Sequence, residues 1–269
     1  EEICEELGNI EEIRQAFLDE NPAAMTINVN SNSDAVGNYD IYNRFYPGIQ
    51  RINAQLTDAD IEIKKSNTND VELSVTGGLA DDMEALKETL RVSASVGTLS
   101  IQQEKKAGIS VSYAASRLFG LKVGKYSAGI VIHIAVPEQF EKIKVKSISG
   151  DIKANNSNAK TLLIHTGSGD VGVEDCQADE LFASSISGDV NVIACKADKM
   201  DIVSVSGDIK AEFDKSAQCR AKSTSGDCKV TIGNQVDAVV SSTSGDINVR
   251  YIGEIGLEMA LSSTSGDVS

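Results

Sequence analysis

In the second half of the chain, hydrophobic and polar residues alternate, and the alternation repeats at a fixed interval. Each copy follows a Ser-Gly-Asp tripeptide, first seen at Ser149-Gly150-Asp151. Successive tripeptide glycines lie 19 residues apart five times and 21 residues apart once. A period of this length predicts a solenoid in which each repeat is one coil. The glycine and aspartate of the seven copies are Gly150, Asp151, Gly169, Asp170, Gly188, Asp189, Gly207, Asp208, Gly226, Asp227, Gly245, Asp246, Gly266 and Asp267.

Hydrophobic residues fall into columns when each coil is numbered from Lys146 as position 1. Positions 7 and 9 begin with Ile152 and Ala154, and positions 17 and 19 begin with Leu162 and Ile164. This alternation predicts two strands per coil, each with one face inward, joined by a corner at Gly-Asp. Positions 10 to 16 are more polar and are predicted to form a return segment. Because one coil cannot bury its inner face alone, we predict an all-β solenoid of about seven stacked 19-residue coils over residues 146–269.

The first 145 residues lack this repeat. Residues 1–24 place Ile3, Leu7, Ile10 and Phe17 at near-helical spacing among acidic residues, which predicts a short acidic amphipathic helix or linker. Residues 25–145 alternate with period two and predict a non-repetitive β region continuous with the solenoid. The strands predicted there are 26–29, 61–63, 71–75, 99–101 and 130–134.

Composition narrows the function classes. Aromatic residues make up 4% of the chain and Trp is absent, which favours thin repetitive β structure over a globular enzyme with a wide pocket. The net charge is −15, so no basic face is available for nucleic acid. The sequence contains no run of about 18 apolar residues, so no membrane span is predicted. The start at Glu1 rather than Met suggests a trimmed or processed chain, from which a signal peptide or anchor could have been removed.

The Gly-Asp pair is expected to be structural. Glycine would supply either a positive φ or a corner too crowded for a Cβ, and the aspartate would accept a hydrogen bond from a nearby backbone N–H in an Asx-type turn. The alternative is a ladder of stacked carboxylates that binds cations, as in calcium-binding β-rolls. Such rolls supply more ligand oxygens per turn, so we expect no metal and no cofactor.

Three other motifs resemble chemical sites. Residues 167–172 match the dinucleotide pattern GxGxxG, but no helix is predicted after them, so no nucleotide site is expected. His133 and His165 have no recognisable nucleophile elbow nearby and are expected to be ordinary strand or surface residues. The densest acidic group follows no loop that would wall a cleft: Glu174, Asp175, Asp179 and Glu180.

Two cysteines share position 12 of adjacent coils. Cys176 and Cys195 should lie close enough for a disulfide, but in-register neighbours point their Cβ atoms in parallel, which is poor bridging geometry. Cys176 and Cys195 are therefore expected to be reduced packing residues. Cys219 and Cys228 lie in inward columns and are also expected to be packing residues.

The order of strands resembles a known family. Residues 59–63, 70–75, 97–101 and 130–137 read ADIEI, DVELSV, GTLSI and IVIHIAVP, and 143–152 lead into the repeats as IKVKSISGDI. Together they look like the bacterial putative adhesin family, a domain-of-unknown-function family with a β-solenoid fold, over roughly residues 48–269. The resemblance implies that the chain is extracytoplasmic, either attached to the cell envelope or secreted. Residues 1–24 and 28–46 depart from the family pattern.

The function expected from these observations is that of a non-enzymatic envelope or surface protein, an adhesin or binding scaffold for a glycan or a protein. One alternative is an envelope-stress or signalling accessory that binds a membrane partner. Another is a carbohydrate-active enzyme, which would need three or more carboxylates converging in a groove. The strand at residues 264–269 has no coil beyond it in this sequence, which suggests either end-to-end self-association or a capping C-terminal segment absent from the given sequence.

Overall fold

The computed structural model describes residues 43–76, 86, 89–103, 130–213, 218–233, 237–252 and 259–269. The predicted helix at 1–24 and the predicted strand at 26–29 lie outside these residues. No helix among the described residues is both long and apolar enough to cross a membrane.

Two sheets of ten strands each make up the described fold. Sheet A has the order β1-β4-β7-β3-β9-β11-β13-β15-β17-β19, and sheet B has the order β20-β18-β16-β14-β12-β10-β8-β2-β6-β5. In sheet A the strands are β1 (Arg44–Tyr46), β3 (Asp60–Lys65), β4 (Val71–Thr76), β7 (Val131–Val136), β9 (Ile152–Asn155), β11 (Val171–Glu174), β13 (Val190–Ile193), β15 (Ile209–Phe213), β17 (Cys228–Ile232) and β19 (Ile247–Tyr251). In sheet B they are β2 (Arg51–Gln55), β5 (Leu90–Ser95), β6 (Thr98–Gln103), β8 (Phe140–Ser147), β10 (Ala159–Thr166), β12 (Gln177–Ser185), β14 (Lys196–Ser204), β16 (Gln218–Ser223), β18 (Asp237–Ser242) and β20 (Met259–Ser263).

The repeats stack in parallel and in register. Leu162 pairs with Leu181 in sheet B, and Val171 pairs with Val190 in sheet A, so each strand meets the residue 19 positions later. The last step in sheet B instead pairs Ala238 with Met259. The matching step in sheet A keeps the 19-residue offset through Tyr251, so the two extra residues lie between Tyr251 and Met259.

The predicted columns form a single core. Position 7 is buried from Ile152 through Ile247, and position 17 is buried from Leu162 through Ala238. These side chains belong to one continuous hydrophobic cluster, which accounts for the stacking because each coil covers the apolar face of its neighbour. The all-β solenoid is confirmed, and six strands of each sheet lie wholly within the described repeats.

A coil without the sequence repeat lies beneath the first repeat. β2 pairs in parallel with β8, and β3 pairs in parallel with β9. On their other sides β2 meets β6 and β3 meets β7, so the segment from Arg51 to Lys65, here called the first coil, is inserted between strands that come later in the chain. Strands β1, β2 and β5 were not among the predicted strands.

The second corner of the coil is tighter than predicted. Asn156, Asp175 and Ala194 occupy position 11 with φ of 49°, 52° and 54°. This left-handed turn reverses the chain at once, and position 12 behind it is buried at Cys176 and Cys195. The prediction of a polar return over positions 10 to 16 is therefore wrong in extent, because position 12 faces inward and β12 and β14 begin at position 13.

Candidate functional site

The Gly-Asp corners pack backbone against backbone. A Cβ built on Gly207 would lie 2.0 Å from the carbonyl oxygen of Gly188, and the corresponding distance is 2.0 to 2.2 Å at all seven corners. Positive φ occurs at Gly48 and Gly97 and at none of the seven corner glycines. Of the two reasons offered for glycine, the observed one is close approach of the neighbouring coil.

The corner aspartates form a ladder between coils. The backbone N–H of Asp208 donates to Oδ1 of Asp189 at 2.8 Å, and Asp189 in turn donates to Asp170. The ladder begins one coil before the first repeat, where Asp151 donates to Oδ1 of Asp60 at 2.9 Å. The expected Asx-type turn is wrong, because the carboxylate accepts from the next coil rather than from its own.

A buried hydroxyl at position 2 completes each corner. Ser204 Oγ accepts from the Gly207 N–H at 2.9 Å and donates to the Gly188 carbonyl at 3.2 Å. The equivalent pair of bonds is made by Thr166, Ser185, Ser223, Ser242 and Ser263. The polar groups of the buried corner are thus satisfied within the stack.

The other sequence motifs lie apart from one another. His133 Nδ1 is 2.9 Å from Glu62 Oε2 and its Nε2 is 2.6 Å from Thr76 Oγ1, whereas His165 contacts Ser184 at 2.8 Å. Gly167 is required by crowding, since its Cβ would lie 2.6 Å from the carbonyl of Ile148. Strand β11 rather than a helix follows it, so residues 167–172 have no helix N-terminus for a phosphate.

The paired cysteines are free thiols in the structure. Cys176 Sγ lies 3.3 Å from Ser157 Oγ, and Cys195 Sγ lies 3.3 Å from the carbonyl of Ile193. A hydrogen bond from the Cys195 thiol lowers the pKa of Cys176 to about 7, and the same bond raises the pKa of Cys195. Among the described residues, no three His, Cys, Asp or Glu side chains are grouped to hold a metal ion.

A groove follows the third face of the coils, defined here as positions 13 to 15. Its cavity volume is about 700 Å³. Two successive exposed residues in β12, Asp179 and Glu180, and two in β14, Asp198 and Lys199, mark the bend where this face turns into the rest of sheet B. The lining residues are Gln50, Glu138, Gln139, Phe140, Glu141, Asn158, Ala159, Lys160, Gln177, Ala178, Asp179, Lys196, Ala197 and Asp198.

Small residues form the floor of the groove and polar residues form its walls. Position 14 is the buried Phe140 in the coil before the repeats and then Ala159, Ala178 and Ala197, so no long exposed side chain fills the space between positions 13 and 15. The coils remain in register here, because Ala178 pairs with Ala197 and Gln177 pairs with Lys196. The groove therefore presents the same three positions again at each coil, about 4.8 Å apart.

Four carboxylates line the groove, but they are not equivalent. Glu138 is tied to Lys65 at 3.0 Å, and Glu141 is tied to Arg51 at 3.3 Å. Asp179 and Asp198 remain, so fewer than three carboxylates are left outside these ion pairs. The convergence required for the carbohydrate-active enzyme is not found among the described residues.

The groove was not predicted from the sequence. Asp179 belongs to the predicted acidic group and positions 13 to 15 belong to the predicted polar return, and neither prediction brings successive coils together. The available signal was the column of alanines at position 14, where a stacked solenoid must have a depression if the positions on either side point outward.

Comparisons with known proteins agree on the architecture. The family model described as Toastrack DUF4097 matches residues 49–269. A crystal structure from Bacteroides fragilis, described as a putative adhesin, is 20% identical, with a TM-score of 0.51 over 83% of this chain and 92% of that chain. No curated protein matches the sequence.

Two further solved structures are more distant. One from Parabacteroides distasonis, described as a putative lipid binding protein, is 19% identical, with a TM-score of 0.45 over 83% of this chain and 94% of that chain. Another from the same species, described as a putative adhesin, is 14% identical, with a TM-score of 0.46 over 84% of this chain and 94% of that chain.

Proposed function

The chain belongs to the Toastrack DUF4097 family, and on that premise we propose that it is a non-enzymatic binding protein of the bacterial cell envelope, an adhesin or scaffold. The solved structure from Bacteroides fragilis is described as a putative adhesin, which supports the proposal without establishing it, since the likeness concerns fold alone. Extracytoplasmic location, at the envelope or secreted, is part of the same proposal.

The observation that supports a binding role is the contrast between the Gly-Asp corner and the third face of each coil. At the Gly-Asp corner the buried polar groups are used within the stack, as the bonds of Ser204 and the ladder bond of Asp189 illustrate. On the third face, by contrast, a groove of about 700 Å³ is lined by charged and amide side chains. We assign the corners a structural role and the groove the role of binding surface.

Binding of the purified chain to bacterial envelope fractions and to a glycan and cell-wall array tests this proposal. The groove variant is Gln177→Ala with Asp179→Ala, two exposed residues whose loss leaves the core intact. The matched control is Asn191→Ala with Glu212→Ala, on the outer face of sheet A. We expect the groove variant to lose binding and the control to retain it.

Retained binding in the groove variant would show that the binding surface lies elsewhere. Absence of wild-type binding to every envelope fraction would contradict the adhesin function itself.

End-to-end self-association stays a separate proposal. Sedimentation velocity over a hundredfold concentration range tests it, and a single unchanging monomer peak would exclude it.

A further inference from the structure

The groove repeats its chemistry at the spacing of the coils. Positions 13 to 15 contribute Asn158-Ala159-Lys160, Gln177-Ala178-Asp179 and Lys196-Ala197-Asp198 in three successive coils, and residues 138–141 continue the groove in the coil before them. Four coils at about 4.8 Å give a span of roughly 15 Å between the first and last. A ligand that matches this surface is long, narrow and periodic.

Each coil offers both donors and acceptors. Amides, ammonium groups and carboxylates alternate across the groove, with Lys160 next to Asp179 along position 15 and Lys196 after Gln177 along position 13. Within the described part of the chain, Lys160, Asp179 and Lys196 make no side-chain hydrogen bond or ion pair. Hydroxyl groups, which donate and accept at once, are the partners such a mixed surface satisfies best.

Backbone pairing of a peptide is disfavoured in the groove. The Gln177 N–H donates to Asn158 Oδ1 at 3.2 Å, and the Lys196 N–H donates to the Cys176 carbonyl at 2.9 Å. These amides already have partners within the stack, so they do not form the free edge that a β-strand would need for augmentation.

Apolar and polyanionic ligands also fit poorly. The floor consists of three alanines and Phe140, the one large apolar lining residue, which is 4% exposed. No apolar pocket is therefore available for an acyl chain or an aromatic anchor. Two of the lining side chains are lysines and four are acidic, a balance that opposes a chain of phosphates or sulfates.

We propose that the groove binds an extended oligosaccharide lying parallel to the solenoid axis, with about one sugar unit for each coil. The inference rests on the proposed function, because it identifies the ligand of the same binding surface. Hydroxyl groups on successive sugars meet the amide, carboxylate and ammonium groups of successive coils, and the alanine floor leaves room for the sugar rings.

Two treatments of the envelope fraction separate this inference from the proposed function. Periodate cleaves the vicinal diols of glycans, and protease digestion removes protein. We expect binding of the full chain to be lost after periodate and kept after protease. Loss after protease with binding kept after periodate would overturn the oligosaccharide and leave the adhesin function standing.

Ligand length gives an independent readout. In calorimetric titrations with neutral β-linked oligosaccharides of two to eight units, prepared from whichever glycan the array selects, affinity should rise on the order of tenfold between two and four units and then level off. An affinity that does not depend on length would contradict the axial placement.

Two variants connect the readout to the groove. Asp179→Asn with Asp198→Asn keeps the shape and the acceptors, and should weaken binding of the four-unit ligand by several fold. Ala178→Phe fills the floor and should abolish it. Because Ala178 touches the core, its variant is compared at a temperature where circular dichroism shows the native fold, and full binding by that folded variant would overturn the proposal.

Discussion

The first coil, Arg51 to Lys65, and the repeats that stack on it have the same shape but different corners. In the repeats the corner is Gly-Asp, and in the first coil it is Ala59-Asp60. Asp60 still accepts the ladder bond from Asp151, and the carbonyl of Ala59 still crowds Gly150, where a Cβ would lie 2.0 Å away. Glycine is thus required at a corner by the carbonyl of the preceding coil. Ala59, in the first coil, occupies its buried corner with its Cβ in place.

The two kinds of corner also satisfy their backbone differently. A repeat uses its own hydroxyl at position 2, whereas the first coil has buried Leu56 there. Its corner is closed by Gln103, whose Oε1 accepts from Thr57 N–H at 2.9 Å and whose Nε2 donates to Asp58 at 2.7 Å. The coil shape therefore depends on satisfying the corner and not on one particular sequence.

The largest expected effect is at a repeat corner. Gly207→Ala places a Cβ against the Gly188 carbonyl and should destabilise the fold by more than about 4 kcal/mol, since neither backbone can move without breaking the stack. Urea denaturation measures it. Gly172→Ala is the matched control, because its nearest neighbour is Lys153 Cγ at 3.8 Å, and it should be neutral.

The first coil supplies the reciprocal test. Ala59→Gly should cost only about 1 kcal/mol, from chain entropy and a lost methyl group. If Gly207→Ala were as mild as this, crowding would not be the reason for the repeated glycine.

Removing the position 2 hydroxyl should have the next largest effect. Ser204→Ala leaves the Gly207 N–H and the Gly188 carbonyl without their partner in a buried corner, at a cost of about 1 to 3 kcal/mol in urea denaturation. Ser204→Thr should be close to wild type, because Thr166 makes the same bonds in its own coil. Equal losses for both variants would show that packing rather than hydrogen bonding decides this position.

In the first coil the same role falls to a distant side chain. Gln103→Ala should destabilise by about 1 kcal/mol, less than Ser204→Ala, because Thr57 is half-buried and Asp58 is exposed, and water can replace part of the lost bonding. Amide hydrogen exchange at Thr57 and Asp58 should quicken while exchange at Gly207 stays the same. Unchanged exchange at Thr57 would show that Gln103 does not close this corner.

The smallest effect at neutral pH concerns position 12, which is Ser66 in the first coil, Ser157 in the next and cysteine in the following two. Because the Cys195 thiol donates to it, Cys176 should form a thiolate with an apparent pKa of about 7. This lies below the ordinary value of 9.0, so the Cys176 contribution to stability grows between pH 7 and 9 and is lost as the pH falls through 7. Above pH 9 the raised pKa of Cys195 opposes it, because the folded state then keeps a proton that the unfolded state has lost.

Thiolate absorbance, taken as the difference between wild type and Cys176→Ser, measures that pKa. In Cys195→Ala the pKa of Cys176 should rise toward 9.0 because the donor is gone. An unchanged titration in that variant would contradict the thiol pair. Cys176→Ser should keep the fold, since serine already occupies this column twice.

The sequence predicted the repeats well because stacking imposes one rule on every coil. The columns that begin at Ile152 and Leu162 are periodic, and a periodic pattern can be recognised in a sequence without knowledge of the contacts. The first coil was not predicted as a coil, because its corner departs from Ser-Gly-Asp. Even so, Asp60, Ile61 and Ile63 keep the spacing of Asp151, Ile152 and Ala154. That spacing was a usable signal.

The groove could not be predicted in the same way. Its walls follow a left-handed turn at position 11, which is Asn156, Asp175 and Ala194 in successive coils. Asn and Asp adopt this conformation more readily than Ala, and no glycine occurs there, so the column marks the turn only in part. Without that turn, positions 13 to 15 resemble a polar loop, and the alanine column at position 14 is the one feature that distinguishes them. The depth of the face depends on Ala178 and Ala197 being adjacent in space.

A side-by-side binding measurement tests most directly whether function lies in the groove or in the repeated tripeptide. The corner variant is Asp170→Asn with Asp189→Asn, which removes two ladder charges and keeps both acceptors. The groove variant is Gln177→Ala with Asp179→Ala. With the same envelope fraction, the corner variant should bind as wild type does and the groove variant should not. Loss of binding in the corner variant, with binding kept in the groove variant, would contradict the account.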